Sequence, residues 1–190
     1  MNLLLQLSWL AVPVIVSGLV HLAVLKFDLL PGLRALPIDG GATIRGRRLF
    51  GDNKTWRGAI VTIVTVTVCA WALARLDDCC MGLPTLAPFA ELHPVAWGFL
   101  LGTGYIVGEL PNSFAKRQLD IGPGQSGQGF VGQVFWVVDQ VDSLAGMLLL
   151  TWPVWQPPLL LVLLLFVIML AAHPVAAWVM VLAGLKKRVG

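Results

Sequence analysis

Five long apolar runs leave this chain little choice of fold. Trp9 to Leu30, Ala59 to Leu76, Val95 to Leu110, Val134 to Trp152 and Leu159 to Leu185 approach or exceed the ~20 residues that an α-helix needs to cross a bilayer. In lipid every backbone N–H and C=O must be satisfied internally, so runs of this kind form helices. Only 12% of the residues are charged and 57% are hydrophobic, whereas a soluble domain carries about 25% charged residues. The expected fold class is an all-α integral membrane protein. It forms a single transmembrane domain over residues 1–190, with about five spans near 9–30, 59–76, 95–110, 134–152 and 159–185. No Lys or Arg precedes the first run, so it reads as a retained helix rather than a secretory leader. His173-Pro174 predicts a kink in the fifth.

The thirteen Lys and Arg residues predict the orientation. Lys26, Arg34, Arg45, Arg47, Arg48, Lys54 and Arg57 flank the first connection. Lys116 and Arg117 lie in the third, and Lys186, Lys187 and Arg188 follow the fifth run. Arg75 alone sits at the opposite end. By the positive-inside rule the amino terminus faces out and the carboxyl terminus faces the cytoplasm, with two polar cytoplasmic loops between. Cys69 falls within the second span, and the adjacent Cys79 and Cys80 fall on the outer side. Neighbouring cysteines bridge each other only with strain, so the three make no disulfide framework.

Nearly all the polar chemistry lies in the two cytoplasmic connections. The first, Pro31 to Arg57, has turn signals at Asp39-Gly40-Gly41 and Gly51-Asp52-Asn53, with a short strand or hairpin expected over Thr43 to Phe50. Arg45, Arg47 and Arg48 suit anionic headgroups. Asn53, Lys54 and Arg57 stand closer together at a helix entrance, where they suit a phosphate or ribose, and Trp56 reads as an interfacial anchor. The second connection, Pro111 to Gln133, begins as a short helix over Asn112 to Leu119. It then becomes a glycine-rich loop that includes Gly122 and Gly124 and can offer backbone N–H groups to phosphate oxygens.

Asp139 and Asp142 interrupt an otherwise apolar run, Val131 to Trp152. A carboxylate at bilayer depth costs a few kcal/mol or more, and a spacing of three puts both on one helix face. A salt bridge with Lys116 or Arg117 is one way to meet the cost. A divalent cation shared by both acids is the other, and hard oxygen ligands favour Mg²⁺. Glu109 adds a third acid at the end of the third run. No Cys/His spacing suits zinc, and no GxxxxGK[ST] loop is present. A cationic pair, an amide-rich loop and an acid pair together point to phosphoryl or nucleotidyl transfer at the membrane face.

Ser113-x-x-Lys116-Arg117, Asp120, Pro123-Gly124 and Asp139-x-x-Asp142, in that order, resemble the signature of CTP-dependent lipid-phosphate cytidylyltransferases. LFGDNKTWRG (Leu49 to Gly58) and Asp139-Gln140-Val141-Asp142 resemble the CDP-archaeol synthase branch more than the phosphatidate cytidylyltransferases. The chain departs from the pattern at Glu109, where Asp is expected, and at Pro111-Asn112, where a basic residue is common. The resemblance implies transfer of a cytidylyl group from CTP to a membrane lipid phosphate such as archaetidic or phosphatidic acid, with Mg²⁺, in phospholipid biosynthesis. It implies metal binding by Asp139 and Asp142, and catalytic roles for these and for Lys116 and Arg117. It further implies substrate contacts from Asn53, Lys54, Arg57, Ser113, Asp120, Gly122 and Gly124. The implied partners are CTP, the lipid phosphate and the bilayer. A homo-oligomer is allowed, and no nucleic acid is expected.

Two other classes compete: a small ion-coupled transporter using the acids as a pathway, and a non-catalytic membrane subunit. A transporter needs polar residues through to the outer face. The outer halves of these helices are nearly free of ionisable groups, which favours the enzyme.

Overall fold

The computed structural model describes residues 3–77, 79, 86–89, 91–125 and 127–182. Five long helices account for most of them: α1 (Leu3–Lys26), α3 (Trp56–Leu76), α4 (Pro94–Gln118), α5 (Gly129–Thr151) and α6 (Leu159–Leu182). One helical turn, α2 (Pro31–Arg34), and a two-stranded antiparallel hairpin, β1 (Thr43–Ile44) and β2 (Arg47–Arg48), occupy the first connection. The hairpin falls inside the stretch expected from the turn signals. Helices α3 and α5 are long and apolar enough to cross a membrane, and shorter apolar helical stretches run over Leu10–Lys26 and Leu159–Ala171.

The helices pack in series. α4 lies between α3 and α5, with α1 on α3 and α6 on α5. Val66, Trp97, Leu101, Leu144 and Met147 form the centre of the core. Trp97 meets Trp155 edge to face, with ring centroids 5.3 Å apart. The α4–α5 crossing is unusually close because small residues face each other. A methyl group on Gly104 would lie 2.7 Å from Met147 Cα, and one on Gly108 would collide with the Asp142 carbonyl. Helix α5 is thereby pressed against α4 at the level of its acids.

Several boundaries differ from those expected. Helix α1 ends at Lys26 rather than Leu30, because Asp28 and Leu30 turn left-handed and Arg57 ties Asp28 to the start of α3 at 2.8 Å. The third run does not stop at Leu110: α4 continues through Pro111 to Gln118. Proline removes one backbone donor inside the helix, and side-chain bonds from Asn112 and Lys116 to α5 hold the segment beyond it. The expected short helix over Asn112 to Leu119 is thus the last part of α4. Helix α5 begins at Gly129 rather than Val134. Asp139 consequently sits about ten residues, or ~15 Å, into its helix. The side chains of His173 and Pro174, Cys80, and the basic cluster Lys186, Lys187 and Arg188 lie outside the described residues.

Candidate active site

Helix α4 carries three of the expected residues, Ser113, Lys116 and Arg117, on one short stretch. Asn112, Ser113, Lys116 and Arg117 are all buried on its last two turns. Lys116 Nζ lies 2.5 and 2.6 Å from the two carboxylate oxygens of Asp139, with its charge also 5.6 Å from the centre of the Phe135 ring. Of the two ways to meet the cost of buried acids, the salt bridge is therefore present for Asp139. Asp142 differs: among the described residues no cation lies within salt-bridge distance of it. Its oxygens accept from Asn112 Nδ2 and from the Ser143 backbone N–H, each at 2.7 Å. The same Asn112 Nδ2 donates to Asp139 at 2.7 Å. One side-chain amide thus spans both carboxylates.

A second ion pair flanks the first. Lys54, from the first connection, reaches Glu109 on α4, and Glu109 also accepts from Ser143 Oγ at 3.3 Å. The cluster therefore runs from Lys54 through Glu109 and Ser143 to Asp142, then through Asn112 to Asp139 and Lys116. Arg57 is buried but turned elsewhere, onto Asp28 and the Leu29 carbonyl. Asn53 is exposed, and its Oδ1 shares the space above Gly51 with the Arg117 side chain. Asp120 closes α4 in a left-handed conformation, φ 57°. The Ile121 N–H returns to the Lys116 carbonyl at 2.9 Å, an end motif usually built with glycine. Its carboxylate pairs with Arg47. Gly122 and Gly124 follow in the loop, with Gly124 at φ 72°.

Arg117 stands apart electrostatically. It is 8% exposed, and among the described residues its Nε and Nη1 have no hydrogen-bond partner. Asn112 Oδ1 is likewise buried and unpartnered. Buried donors and acceptors are nearly always matched in proteins, so unmatched ones need an explanation. An anion suits the guanidinium, and the Asp139 and Asp142 carboxylates are hard oxygens of the kind Mg²⁺ takes together with substrate phosphates. The residues present therefore fit both groups.

The first connection is folded against this site. The Asp39 side chain is fully buried, taking Arg48 Nη2 at 2.6 Å and the N–H groups of Gly41, Phe50 and Gly51 at 3.0, 3.0 and 3.3 Å. Burial pushes this carboxyl up, but the Arg48 guanidinium and the three N–H groups outweigh it and hold the pKa at about 2. Arg48 is raised in turn by Asp39. Arg47 also donates to the Gln118 carbonyl, and Gln118 Nε2 to the Arg48 carbonyl at 3.3 Å. Sequence reasoning did not single out Asp39 or Asn112 as site residues. The signal for Asn112 was its departure from the family pattern; for Asp39 the sequence offered only its place in a turn.

Long apolar helices around buried acids, a bridging amide and a guanidinium with two unpartnered nitrogens mark a helical membrane protein with a polar interior site. Known proteins narrow it. Residues 1–189 match the CarS-like, CDP-archaeol synthase family, and the chain belongs to it. Among relatives, the CDP-archaeol synthase of Pyrococcus furiosus is 35% identical over 140 residues, covering 72% of this chain and 73% of that protein. That of Methanosphaerula palustris is 35% identical over 60% of this chain, and that of Halobacterium salinarum 39% over 60%. The matches span 61% and 58% of the latter two proteins' lengths. A solved structure described as an intramembrane enzyme for archaeal membrane lipids biosynthesis shares the fold. Its TM-score is 0.64 at 19% identity, over 90% of this chain and 92% of that one.

Proposed function

We propose that this protein is a CTP-dependent cytidylyltransferase that activates a membrane lipid bearing a terminal phosphate, releasing pyrophosphate and leaving the CDP-lipid. The observation that carries the reading is the buried Arg117 guanidinium with two nitrogens unpartnered among the described residues, next in sequence to Lys116 on Asp139. Leaving a buried cation unmatched is costly, and a phosphate supplies the missing acceptors in a geometry that a guanidinium fits. Family membership supports the same reaction.

In this reading Asp139 and Asp142 hold Mg²⁺, which when bound offsets the charge of the carboxylates and nucleotide phosphates. Lys116 and Arg117 take phosphate oxygens. Ser113, one turn before Lys116, and Asp120, Gly122 and Gly124 beyond it orient the nucleotide. Asn53 and Lys54 close the pocket from the first connection, which Arg57 braces through Asp28 and the Leu29 carbonyl. An ionised lipid phosphate oxygen forms a bond to the α-phosphorus of CTP while the bond from that phosphorus to the bridging oxygen breaks. Pyrophosphate departs with the electron pair, and no general base is required. Such a reaction depends on positioning and charge neutralisation.

The five long helices are five crossings of the cell membrane in one domain, with the amino terminus outside and the site open to the cytoplasm, where CTP is available. Clustering of the ionisable groups at one end of the helices supports this over a transport pathway: α5 has no charged residue after Asp142.

Purified protein supplied with CTP, Mg²⁺ and either an ether-linked or an ester-linked lipid phosphate should produce CDP-lipid and pyrophosphate in equal amounts. The two lipids compared side by side define the specificity. Failure to form a product with both would overturn the reading.

A further inference from the structure

The position of Asn112 raises a question that the reaction itself does not answer. Its Nδ2 donates to Asp139 Oδ1 and to Asp142 Oδ2, both at 2.7 Å. The side chain is buried at 8% exposure, and its Oδ1 has no partner among the described residues. A primary amide has two hydrogens on one end and two lone pairs on the other. Facing two carboxylates, only the NH₂ end is tolerable, because the oxygen would add a third acceptor to the pair. Both amide hydrogens are then spent on the acids, and the oxygen is left unmatched in a buried position.

We infer that Asn112 is a placeholder and ligand for a divalent cation at Asp139 and Asp142. The inference rests on the proposed reading in which these two acids hold the metal. Without the metal, the NH₂ group occupies the niche between the carboxylates and keeps them together. With the metal, a half-turn of the amide about its terminal bond withdraws the NH₂ and presents Oδ1 as a third hard oxygen. Both ends of the amide are thereby used, one in each state. The carboxylates stay paired throughout, so the site is assembled before the ion arrives. Lys116 complements the arrangement because it neutralises Asp139 alone, whereas Asn112 is the group that spans both acids.

The probe is Mn²⁺, titrated by electron paramagnetic resonance into the purified full-length protein without nucleotide or lipid. The melting temperature is measured in parallel in chelator and in excess Mn²⁺. Asn112→Ala should bind Mn²⁺ about 10-fold more weakly, the size of loss typical when a group supporting a metal site is removed. Asn112→Asp should bind at least as tightly as the unaltered protein. It should melt lower in chelator, where three carboxylates face one another, and gain more on adding Mn²⁺. Asn112→Ser, which keeps a small oxygen, guards against misfolding of the alanine variant and should fall between them. Equal Mn²⁺ affinity in the Ala, Ser and unaltered proteins would overturn the ligand role while leaving the metal assignment intact. Weaker binding by Asn112→Asp would also overturn it. No Mn²⁺ binding by the unaltered protein would overturn both this inference and the assignment of the metal to the two acids. CDP-lipid formation would remain to be judged by its own assay.

Discussion

The seam between α4 and α5 and the first connection both meet the candidate site, but they are built by different means. The seam carries its polar groups on two helices pressed together through Gly104, Gly108 and Gly146, so Asn112, Lys116, Asp139 and Asp142 are held by backbone packing. The first connection has almost no apolar core of its own. It is ordered by the buried Asp39 carboxylate and by pairs such as Arg47–Asp120 and Lys54–Glu109. A site of this design has one fixed wall and one wall attached by charges. Substitutions in the fixed wall should act on catalysis or folding as a whole, and those in the attached wall should act more gently and depend on pH and salt.

The largest effect is expected at the fixed wall. Asp142→Asn or Asp139→Asn should lower CDP-lipid formation by roughly 10²–10³-fold, as loss of a group that stabilises transition-state charge typically does, while the protein still inserts and melts cooperatively. Arg117→Ala should come next, and Arg117→Lys should recover little because a point charge does not replace the planar fork. Near-normal turnover in any of these would remove the distinction between the two walls. Gly108→Val tests the packing itself. Its side chain meets the Asp142 carbonyl, so a loss of about 3 kcal/mol is expected from overpacking, read as a lower melting temperature in detergent.

The fixed wall was also the more legible one in the sequence. Asp139 and Asp142 stand out because carboxylates in an apolar run are costly, and their spacing puts them on one face whatever the tertiary fold. Lys116 and Arg117 follow from the charge census. The continuation of α4 was hidden because Pro111 is a good local reason to end a helix, and the bonds that override it come from α5. The attached wall was legible only as turns and a hairpin. Lys54 meets Glu109 across 55 positions, and nothing in local periodicity marks a pairing of that range. Arg57 illustrates the same limit: its neighbours suggest a ligand, whereas in the structure its guanidinium caps the turn at Asp28 and Leu29.

Smaller effects belong to the attached wall. Asp39→Asn removes a charge that accepts four hydrogen bonds. It should destabilise the docked connection by about 2 kcal/mol, within the range for bonds to charged groups. Amide hydrogen exchange at Phe50 and Gly51 should rise, with a modest fall in activity. If exchange there is unchanged while activity collapses, the connection contributes something other than support.

The pH dependence of the same group gives the gentlest test. Asp39 is held at about 2 in the folded chain, below its ordinary value of 3.8. A depressed carboxyl contributes its stability in full above the ordinary value and loses it as pH falls through the folded one. Docking of the first connection should therefore be insensitive to Asp39 ionisation between pH 5 and 8 and weaken progressively from about pH 4 towards pH 2. In Asp39→Asn this component of the acid response should be missing, leaving the exposed pairs such as Arg47–Asp120, each worth ~0.2–1 kcal/mol and sensitive to salt. Protection of Phe50 and Gly51 followed from pH 5 to pH 3 separates the two contributions. Loss that follows the same course in both proteins would assign the attachment to the exposed pairs rather than to the buried carboxylate.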